Sequence, residues 1–303
     1  MKKTAIKFLA LLLLSVALPL LAMIPMQKGE SDRSSWMSAL DDGASLRSLT
    51  LPGTHDSGAL YSIADVSGKC QTLPIKEQLK IGVRFLDIRL QLVDNELKVV
   101  HSFVDQMTDF SDVLRDITTF ISENESEFLI VSIKEDASPR RSDKAFADVL
   151  EAMLSSYPEV SDATTLPETV GDARGSIHVI ARYRNASIGL PCYNGWRDDT
   201  AFVLGDLFVQ DNYCVSDADE KIADVRQAYA IASAEEYALV LNYTSCYLES
   251  CFPPIYAGLP AHEINRDTAK AVTEEYADAP LGVLVCDFIT AELADAIIGR
   301  NFK

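Results

Sequence analysis

Eight short runs of apolar, mostly β-branched residues recur along this chain, and they constrain the fold more than any other feature of the sequence. The runs occupy residues 46–51, 83–92, 97–103, 128–134, 176–183, 206–213, 237–245 and 281–288. Because most runs are apolar throughout, they predict strands that are buried on both faces of a parallel sheet. Helical periodicity lies between several runs, at residues 109–126, 143–157, 217–233 and 263–277.

Alternation of strands and helices predicts an α/β protein with a (β/α)8 TIM barrel in a single domain. The second and third strands are separated only by VDNE, at residues 93–96. This interval is too short for a crossover helix and is typical of a hairpin. We therefore expect a distorted, incomplete barrel.

Polar and ionisable side chains collect where the predicted strands end. The carboxyl ends of barrel strands meet at one face, so these side chains are expected to share one site. They are His55, Asp56, Asp87, Arg89, His101, Lys134, Glu135, Asp136, Arg182, Asp211, Tyr213, Asn242 and Asp287. Strands that become polar as they reach solvent would explain any one of them. Two histidines, two arginines and a lysine in one ring of so acidic a protein favour a common site.

The residue types in this ring suit metal-independent cleavage of a phosphodiester. Two histidines can divide the roles of general base and general acid, because their ordinary pKa is about 6.5. Aspartates beside them would fix the tautomer and stabilise imidazolium, and arginine and lysine bind phosphoryl groups. Arg89 places a cation where a third metal-binding carboxylate would be needed. We expect no metal and no cofactor.

The first 26 residues differ from the rest of the chain. Three lysines precede a long apolar run, which is the plan of a secretory signal peptide or of an uncleaved N-terminal hydrophobic anchor. We therefore expect a secreted or extracytoplasmic bacterial protein, retained at the membrane if the anchor stays. Six cysteines in such a protein permit disulfides, with Cys246–Cys251 the first candidate. Free buried thiols are the alternative.

Seven segments, in order, resemble the motifs of the catalytic X domain of phosphatidylinositol-specific phospholipases C, in particular the secreted bacterial form. They are SLTLPGTHDSGAL, GVRFLDIRLQL, LKVVHSF, EFLIVSIKED, GDARGSIHVIARY, FVQDNYCV and VLVCDFI. The resemblance implies a catalytic barrel over residues 27–303. It also implies cleavage of phosphatidylinositol to diacylglycerol and inositol 1,2-cyclic phosphate, with glycosylated anchors left open as a second substrate.

The resemblance also implies a role for each candidate side chain. His55 would be the general base for the inositol 2-hydroxyl, with Asp287 as its partner. His101 would protonate the departing diacylglycerol oxygen, assisted by Asp56. Arg89 would stabilise the phosphate. The substrate-binding residues would be Asp87, near the phosphate, and Lys134, Arg182, Asp211 and Tyr213, around the inositol.

A lipid substrate implies transient contact with a membrane surface. Candidate contacts are Trp196, Phe252, Ile255 and Tyr256, the last three in the segment CFPPIY. The formal net charge of −18 disfavours broad adhesion to anionic membranes and excludes nucleic acid as a partner. We expect a monomer that binds the head group of an inositol phospholipid.

Two other functions stay open on the sequence alone. A different phosphodiesterase on the same barrel, such as a glycerophosphodiesterase or a sphingomyelinase, would need metal-binding carboxylates in place of Arg89. A non-catalytic inositide-binding module would be favoured by loss of either His55 or His101, and both histidines are present.

Overall fold

Parallel strands form the centre of the computed structural model, which describes residues 33–62, 68–102, 104–249, 257–276 and 278–302. The strands are β1 (Thr50–Thr54), β2 (Phe85–Val93), β3 (Glu96–His101), β4 (Val104–Asp109), β5 (Leu129–Arg140), β6 (Ile177–Arg182), β7 (Leu190–Pro191), β8 (Thr200–Leu204), β9 (Leu207–Asp211), β10 (Cys214–Val215), β11 (Leu239–Tyr243), β12 (Tyr247–Leu248) and β13 (Gly282–Cys286). The α-helices are α1 (Ile75–Lys80), α2 (Phe110–Glu123), α3 (Phe146–Leu154), α4 (Val170–Ala173), α5 (Ala218–Ala232), α6 (Gly258–Lys270) and α7 (Ala291–Ile298). A π-helical turn, Ala271–Glu275, continues α6.

The main sheet has the strand order β7-β6-β5-β2-β1-β13-β11-β9-β8. All neighbours along this path are parallel except β8 and β9. No pairing joins β7 to β8 in the described part of the chain, so the sheet forms a half-barrel that is open between β7 and β8. The predicted α/β fold with an incomplete barrel is confirmed.

The predicted hairpin between the second and third strands is also present. β2 and β3 are antiparallel, with Val93 opposite Glu96. The two connecting residues, Asp94 and Asn95, have φ angles of 53° and 64°. Two positive φ angles define the type I′ turn, whose twist matches that of the flanking strands.

The first strand is displaced from its predicted position at residues 46–51. Residues Leu46–Ser48 form a 3-10 turn, and β1 instead passes through Pro52 and Gly53. Within β1, the Pro52 carbonyl accepts the backbone N–H of Arg84 at 2.9 Å. A Cβ on Gly53 would lie 3.0 Å from Val283, so this position requires glycine for close packing.

The sheet divides the apolar core into an inner and an outer part. Phe85, at the start of β2, packs inside the half-barrel with Ile130 and Val283. Its neighbour Leu86 faces the helices and packs with Phe110 of α2. This alternation follows from the two-residue period of a strand, and the inner core forms the floor beneath the carboxyl ends of the strands.

The five cysteines in the described residues are free thiols, namely Cys70, Cys192, Cys214, Cys246 and Cys286. Cys251, the predicted partner of Cys246, lies outside the described residues, as does the apolar N-terminal segment at 1–26. Within the described ranges, no helix combines the length and the apolar character needed to cross a membrane.

Candidate active site

The site begins at the carboxyl end of β1, where two consecutive side chains diverge. The backbone N–H of His55 still donates to the carbonyl of Cys286 at 3.0 Å, which continues the pairing with β13. Asp56 then adopts a left-handed conformation with φ of 41°, which aspartate tolerates better than most residues. Asp87 fixes this turn, because its Oδ2 accepts the N–H of Asp56 and its carbonyl accepts the N–H of Ser57.

His55 is held between a carboxylate and a guanidinium. Its Nδ1 lies 2.8 Å from Asp287 Oδ1, and Arg89 Nη2 donates to its Nε2 at 2.8 Å. Arginine can only donate, so Nε2 carries the lone pair and Nδ1 carries the proton that it donates to Asp287. Burial alone would lower the pKa of His55, but the charge and hydrogen bond of Asp287 raise it above the ordinary value.

His101 lies beside Asp56, at a longer distance than the one between His55 and Asp287. Its Nδ1 lies 3.7 Å from Asp56 Oδ2, which is a charge contact and too long for a hydrogen bond. Both carboxylate oxygens of Asp56 are buried without a hydrogen-bond partner among the described residues. Burial raises the pKa of Asp56, against the opposing charges of Arg89 and His101. The His101 side chain is 27% exposed and opens onto the mouth of the site.

Arg89 lies at the centre of a ring of aspartates. Its Nη2 and Nε donate to Asp87 Oδ2 at 3.2 and 3.3 Å, and its Nε lies 3.6 Å from Asp56 Oδ2. Its Nη1 lies 3.9 Å from Asp136 Oδ1. Burial would lower the pKa of Arg89, but these carboxylates raise it well above the usual value. Arg89 is therefore a permanent cation, suited to an anion that enters the mouth.

Asp87 joins Arg89 to a second cation. Burial would raise the pKa of Asp87, but Arg89 and Arg182 together hold it well below the usual range. Arg182 Nη1 donates to Asp87 Oδ1 at 3.3 Å. Asp87 thus stays ionised and sets the spacing of two guanidinium groups.

The remaining predicted binding residues lie farther out. Lys134 Nζ lies 2.6 Å from Asp136 Oδ1, on a stretch of β5 that continues beyond the predicted end of that strand. Asp211 is buried at the end of β9, and this burial raises its pKa. Tyr213 lies apart at the rim, where its hydroxyl donates to Asp198 and its ring lies 5.8 Å from that of Tyr247.

Trp196, which we predicted from the sequence as a membrane contact, is half-buried and packs against the site. Its ring lies 3.7 Å from the Arg182 guanidinium carbon and makes edge contacts with Phe202 and Tyr243. The indole therefore forms an inner wall of the site and holds Arg182 by a cation–π contact. The other predicted membrane contacts, Phe252, Ile255 and Tyr256, lie outside the described residues.

Sequence reasoning missed two residues of this site. Cys70 is 2% exposed, and its Sγ lies 3.9 Å from His101 Nδ1. Tyr243, at the end of β11, is fully buried, and its hydroxyl accepts a hydrogen bond from Arg182 Nη1 at 3.4 Å. Tyr243 follows a predicted strand and could have been identified by that position. Cys70 lies in an irregular connection between β1 and α1, where nothing in the sequence marks it.

The arrangement provides two acid–base groups around one cation. His55 presents an Nε2 lone pair, His101 presents a partly exposed ring, and Arg89 lies between the carboxylates that serve them. Such a site can take a proton from one oxygen and give a proton to another while it stabilises negative charge between them.

Comparison with known proteins identifies a family model and curated relatives. A family model described as phosphatidylinositol-specific phospholipase C, X domain, matches residues 52–182. A 1-phosphatidylinositol phosphodiesterase of Listeria monocytogenes is 26% identical over 286 residues, which cover 90% of this chain and 87% of that protein. A protein of the same name from Staphylococcus aureus is 27% identical over 281 residues, covering 84% of this chain and 88% of that protein.

Solved structures share the fold. A phosphatidylinositol-specific phospholipase C from Staphylococcus aureus aligns with a TM-score of 0.77 at 24% identity, over 89% of this chain and 98% of that one. The structure of such an enzyme from Listeria monocytogenes aligns with a TM-score of 0.72 at 24% identity, with the same coverage. At these identities the alignments support the half-barrel architecture.

Proposed function

We propose that this chain, which matches the phosphatidylinositol-specific phospholipase C X-domain model over residues 52–182, is an enzyme of that family. It cleaves phosphatidylinositol to diacylglycerol and inositol 1,2-cyclic phosphate without a metal ion. One observation carries the proposal. Two histidines, each beside a different aspartate, flank a single arginine that carries a permanent charge. This arrangement supplies a base, an acid and an anion-binding group in one mouth.

In the first step, the inositol 2-hydroxyl attacks the neighbouring phosphorus. His55 Nε2 accepts the hydroxyl proton, and Asp287 stabilises the resulting imidazolium through Nδ1. The new bond joins the 2-oxygen to phosphorus, and the bond from phosphorus to the diacylglycerol oxygen breaks. His101, with Asp56 3.7 Å from its Nδ1, gives a proton to that leaving oxygen.

Arg89 has two successive partners in this scheme. In the free protein its Nη2 donates to His55 Nε2, the atom that must accept the substrate proton. A bound phosphate competes for the guanidinium and draws it away from the imidazole, since charge-assisted bonds to an oxyanion are the stronger ones. Substrate binding then frees the base.

The substrate-binding roles of the outer side chains rest on their position and charge. Arg182, Asp211 and Lys134 surround the mouth with donors and acceptors for the inositol hydroxyls. Asp87 keeps two guanidinium groups in place. Tyr213, at the rim, would stack on the face of the ring.

The place of action is also part of the proposal. The basic and apolar composition of residues 1–26 supports export, either with cleavage or with retention as an anchor. We expect a monomer that acts on the outer face of a membrane and touches it transiently through the segment at 252–256.

Phosphorus NMR of phosphatidylinositol vesicles incubated with the protein and EDTA tests the reaction. We expect a cyclic phosphodiester signal that grows while the substrate signal falls. Loss of all activity in EDTA would favour a metal-dependent phosphodiesterase instead. A parallel reaction with a glycosylated anchor as substrate shows whether the protein also cleaves that substrate.

Substitutions test the two histidine roles. His55→Ala and His101→Ala should each lower the rate by roughly three orders of magnitude or more, as for removal of a general base in a paired site. His262→Ala, at an exposed position on α6, is the matched control and should keep the full rate. Retained activity in either of the first two variants, with an intact fold by circular dichroism, would overturn the acid–base assignment.

A further inference from the structure

Cys70 lies between the two histidine–aspartate pairs, and we propose that Asp56, Cys70 and His101 form a binding site for zinc that switches the enzyme off when it is filled. Within the described residues, the ligand atoms of these three side chains all lie within 4.8 Å of one another. The binding of zinc stands on this geometry alone, whereas the inhibition rests on the proposed function.

The distances fit a zinc ion. In a tetrahedral site with Zn–S of about 2.3 Å and Zn–N of about 2.05 Å, sulfur and nitrogen lie about 3.6 Å apart. Cys70 Sγ and His101 Nδ1 are 3.9 Å apart. A nitrogen and an oxygen ligand of zinc lie about 3.4 Å apart, and His101 Nδ1 and Asp56 Oδ2 are 3.7 Å apart. These two pairs would close by a few tenths of an ångström, and the third pair, Cys70 Sγ and the Asp56 carboxylate, lies within 4.8 Å and would close by up to about 1.2 Å.

The carboxylate at this site accepts no hydrogen bond from the described residues, and the Arg89 guanidinium lies 3.6 Å from it. Asp56 is fully buried, and neither of its oxygens has a hydrogen-bond partner among the described residues. A buried carboxylate without hydrogen bonds is costly, and a cation would relieve that cost. The gap of 3.7 Å to His101 is too long for a hydrogen bond but suits a shared ion.

The charges around the site allow a divalent cation in spite of Arg89. Five carboxylates and four cationic side chains lie in or beside the mouth. They are Asp56, Asp87, Asp136, Asp211 and Asp287, with Arg89, Lys134, Arg182 and Lys221. Carboxylates therefore outnumber the cationic side chains of this set, and loss of the Cys70 thiol proton on zinc binding adds one more negative charge.

The donor set selects the metal. A thiolate, an imidazole and a carboxylate suit zinc, whereas calcium and magnesium prefer oxygen ligands. The other possible cluster, His55, Cys70 and Asp287, is less suitable because His55 Nδ1 already donates to Asp287 at 2.8 Å. The partly exposed ring of His101 gives zinc a route from the mouth.

Zinc at this site would block the proton donor. On binding, zinc displaces the thiol proton of Cys70, which is released to solvent. The Nδ1 lone pair of His101 then bonds to zinc, so that the ring cannot become imidazolium. Zinc-bound His101 therefore has no readily released proton for the diacylglycerol oxygen. The Asp56 carboxylate then balances the charge of zinc and no longer that of His101.

Cobalt binding tests the site without reference to activity. Titration of the full-length, reduced protein with cobalt chloride should give one equivalent of tetrahedral cobalt with a thiolate-to-cobalt charge-transfer band. Cys70→Ala should lose that band, and Cys192→Ala, which changes a buried cysteine of the inner core, should keep it. His101→Ala should alter the spectrum, whereas His55→Ala should not. The proposal would be overturned if the wild type gives no thiolate band, or if the spectrum changes in His55→Ala and not in His101→Ala.

Inhibition is measured separately. Micromolar zinc chloride should lower the initial rate on phosphatidylinositol by roughly tenfold or more, and EDTA should restore it. The zinc concentration for half inhibition should rise at least about tenfold in Cys70→Ala and stay unchanged in Cys192→Ala, each relative to its own metal-free rate. Equal sensitivity of the two variants would overturn the inhibitory site. A cobalt spectrum without any lipid cleavage in EDTA would instead overturn the proposed function and leave the metal site standing.

Discussion

At the scale of single residues, the two neighbours His55 and Asp56 belong to different partners. His55 contacts Asp287 from β13, and Asp56 faces His101 from β3. Their divergence comes from the left-handed backbone at Asp56, with Asp87 accepting its N–H. A His-Asp pair in a sequence is therefore not by itself a dyad.

The raised pKa of His55 leads to a prediction about pH. A general base must be neutral, so the acidic limb of kcat/KM against pH should have an apparent pKa above the ordinary histidine value of about 6.5. In Asp287→Asn the group that raises this pKa is gone, while burial and Arg89 still lower it. The limb should move to lower pH, and the maximal rate should fall by roughly 10³–10⁴-fold because the tautomer is no longer fixed.

A surface aspartate provides the control for this substitution. Asp112→Asn changes a half-exposed side chain on α2 that pairs with Arg115. Asp112→Asn should leave unchanged both the apparent pKa of the acidic limb of kcat/KM and the maximal rate. If the limb of Asp287→Asn stays where the wild type has it, Asp287 does not set the pKa of the base.

The residues of this site differ in how far they could be predicted. Histidines and charged residues at strand ends can be placed together because parallel strands share one carboxyl edge. The burial of Trp196 and the position of Cys70 depend on how irregular connections pack, and no periodic pattern records that packing. A cysteine is also common in cores, so its residue type alone gives no signal.

At the scale of elements, two helices with similar sequences at their starts begin differently. An aspartate, a residue type that favours the N-cap, precedes each of them. Asp217 accepts the backbone N–H of Glu220 at 2.9 Å and caps α5. Asp109, before α2, makes no cap bond and pairs with Lys98 at 2.7 Å instead. The cross-strand partner on β3 competes with the helix for the carboxylate.

This contrast predicts unequal effects on stability. Asp217→Ala should lower the free energy of unfolding by about 1 kcal/mol, because a capping bond to an otherwise unpaired N–H is lost. Asp109→Ala should lower it by less than about 0.5 kcal/mol, since an exposed ion pair contributes little. Urea midpoints of the two variants measure the difference. Equal losses would show that the cap bond does not stabilise α5.

The strand boundaries show which elements can be predicted from the sequence and which cannot. Long apolar runs such as those of β6, β11 and β13 were located within a few residues, because burial on both faces leaves an unbroken signal. The observed β1 lies a few residues beyond its predicted position, because Pro52 and Gly53 are usually turn residues and hide the strand in the sequence. β7 and β10 have only two residues each, and their pairing is decided by neighbours in space.

At the scale of the whole molecule, the net charge of −18 opposes approach to an anionic vesicle. Salt screens this repulsion. The initial rate on phosphatidylinositol vesicles should therefore rise several-fold as sodium chloride increases from about 20 to about 200 mM, where the screening length falls from about 20 to about 7 Å.

A water-soluble inositol phosphodiester is the control for this salt effect. It carries a single charge and presents no extended surface, so its rate should change much less. A vesicle rate that falls with salt would indicate that a local basic surface, and not the net charge, governs the encounter.

The peptide bond between His55 and Asp56 has a further consequence. Consecutive Cα atoms lie about 3.8 Å apart whatever the surroundings, so covalent geometry links the base to the carboxylate that serves the acid. A displacement of β1 therefore moves His55 and Asp56 together, relative to Asp287 after β13, Arg89 on β2 and His101 on β3. A shift of this one strand would change the surroundings of the base and of the acid at the same time, so both proton transfers depend on the position of β1.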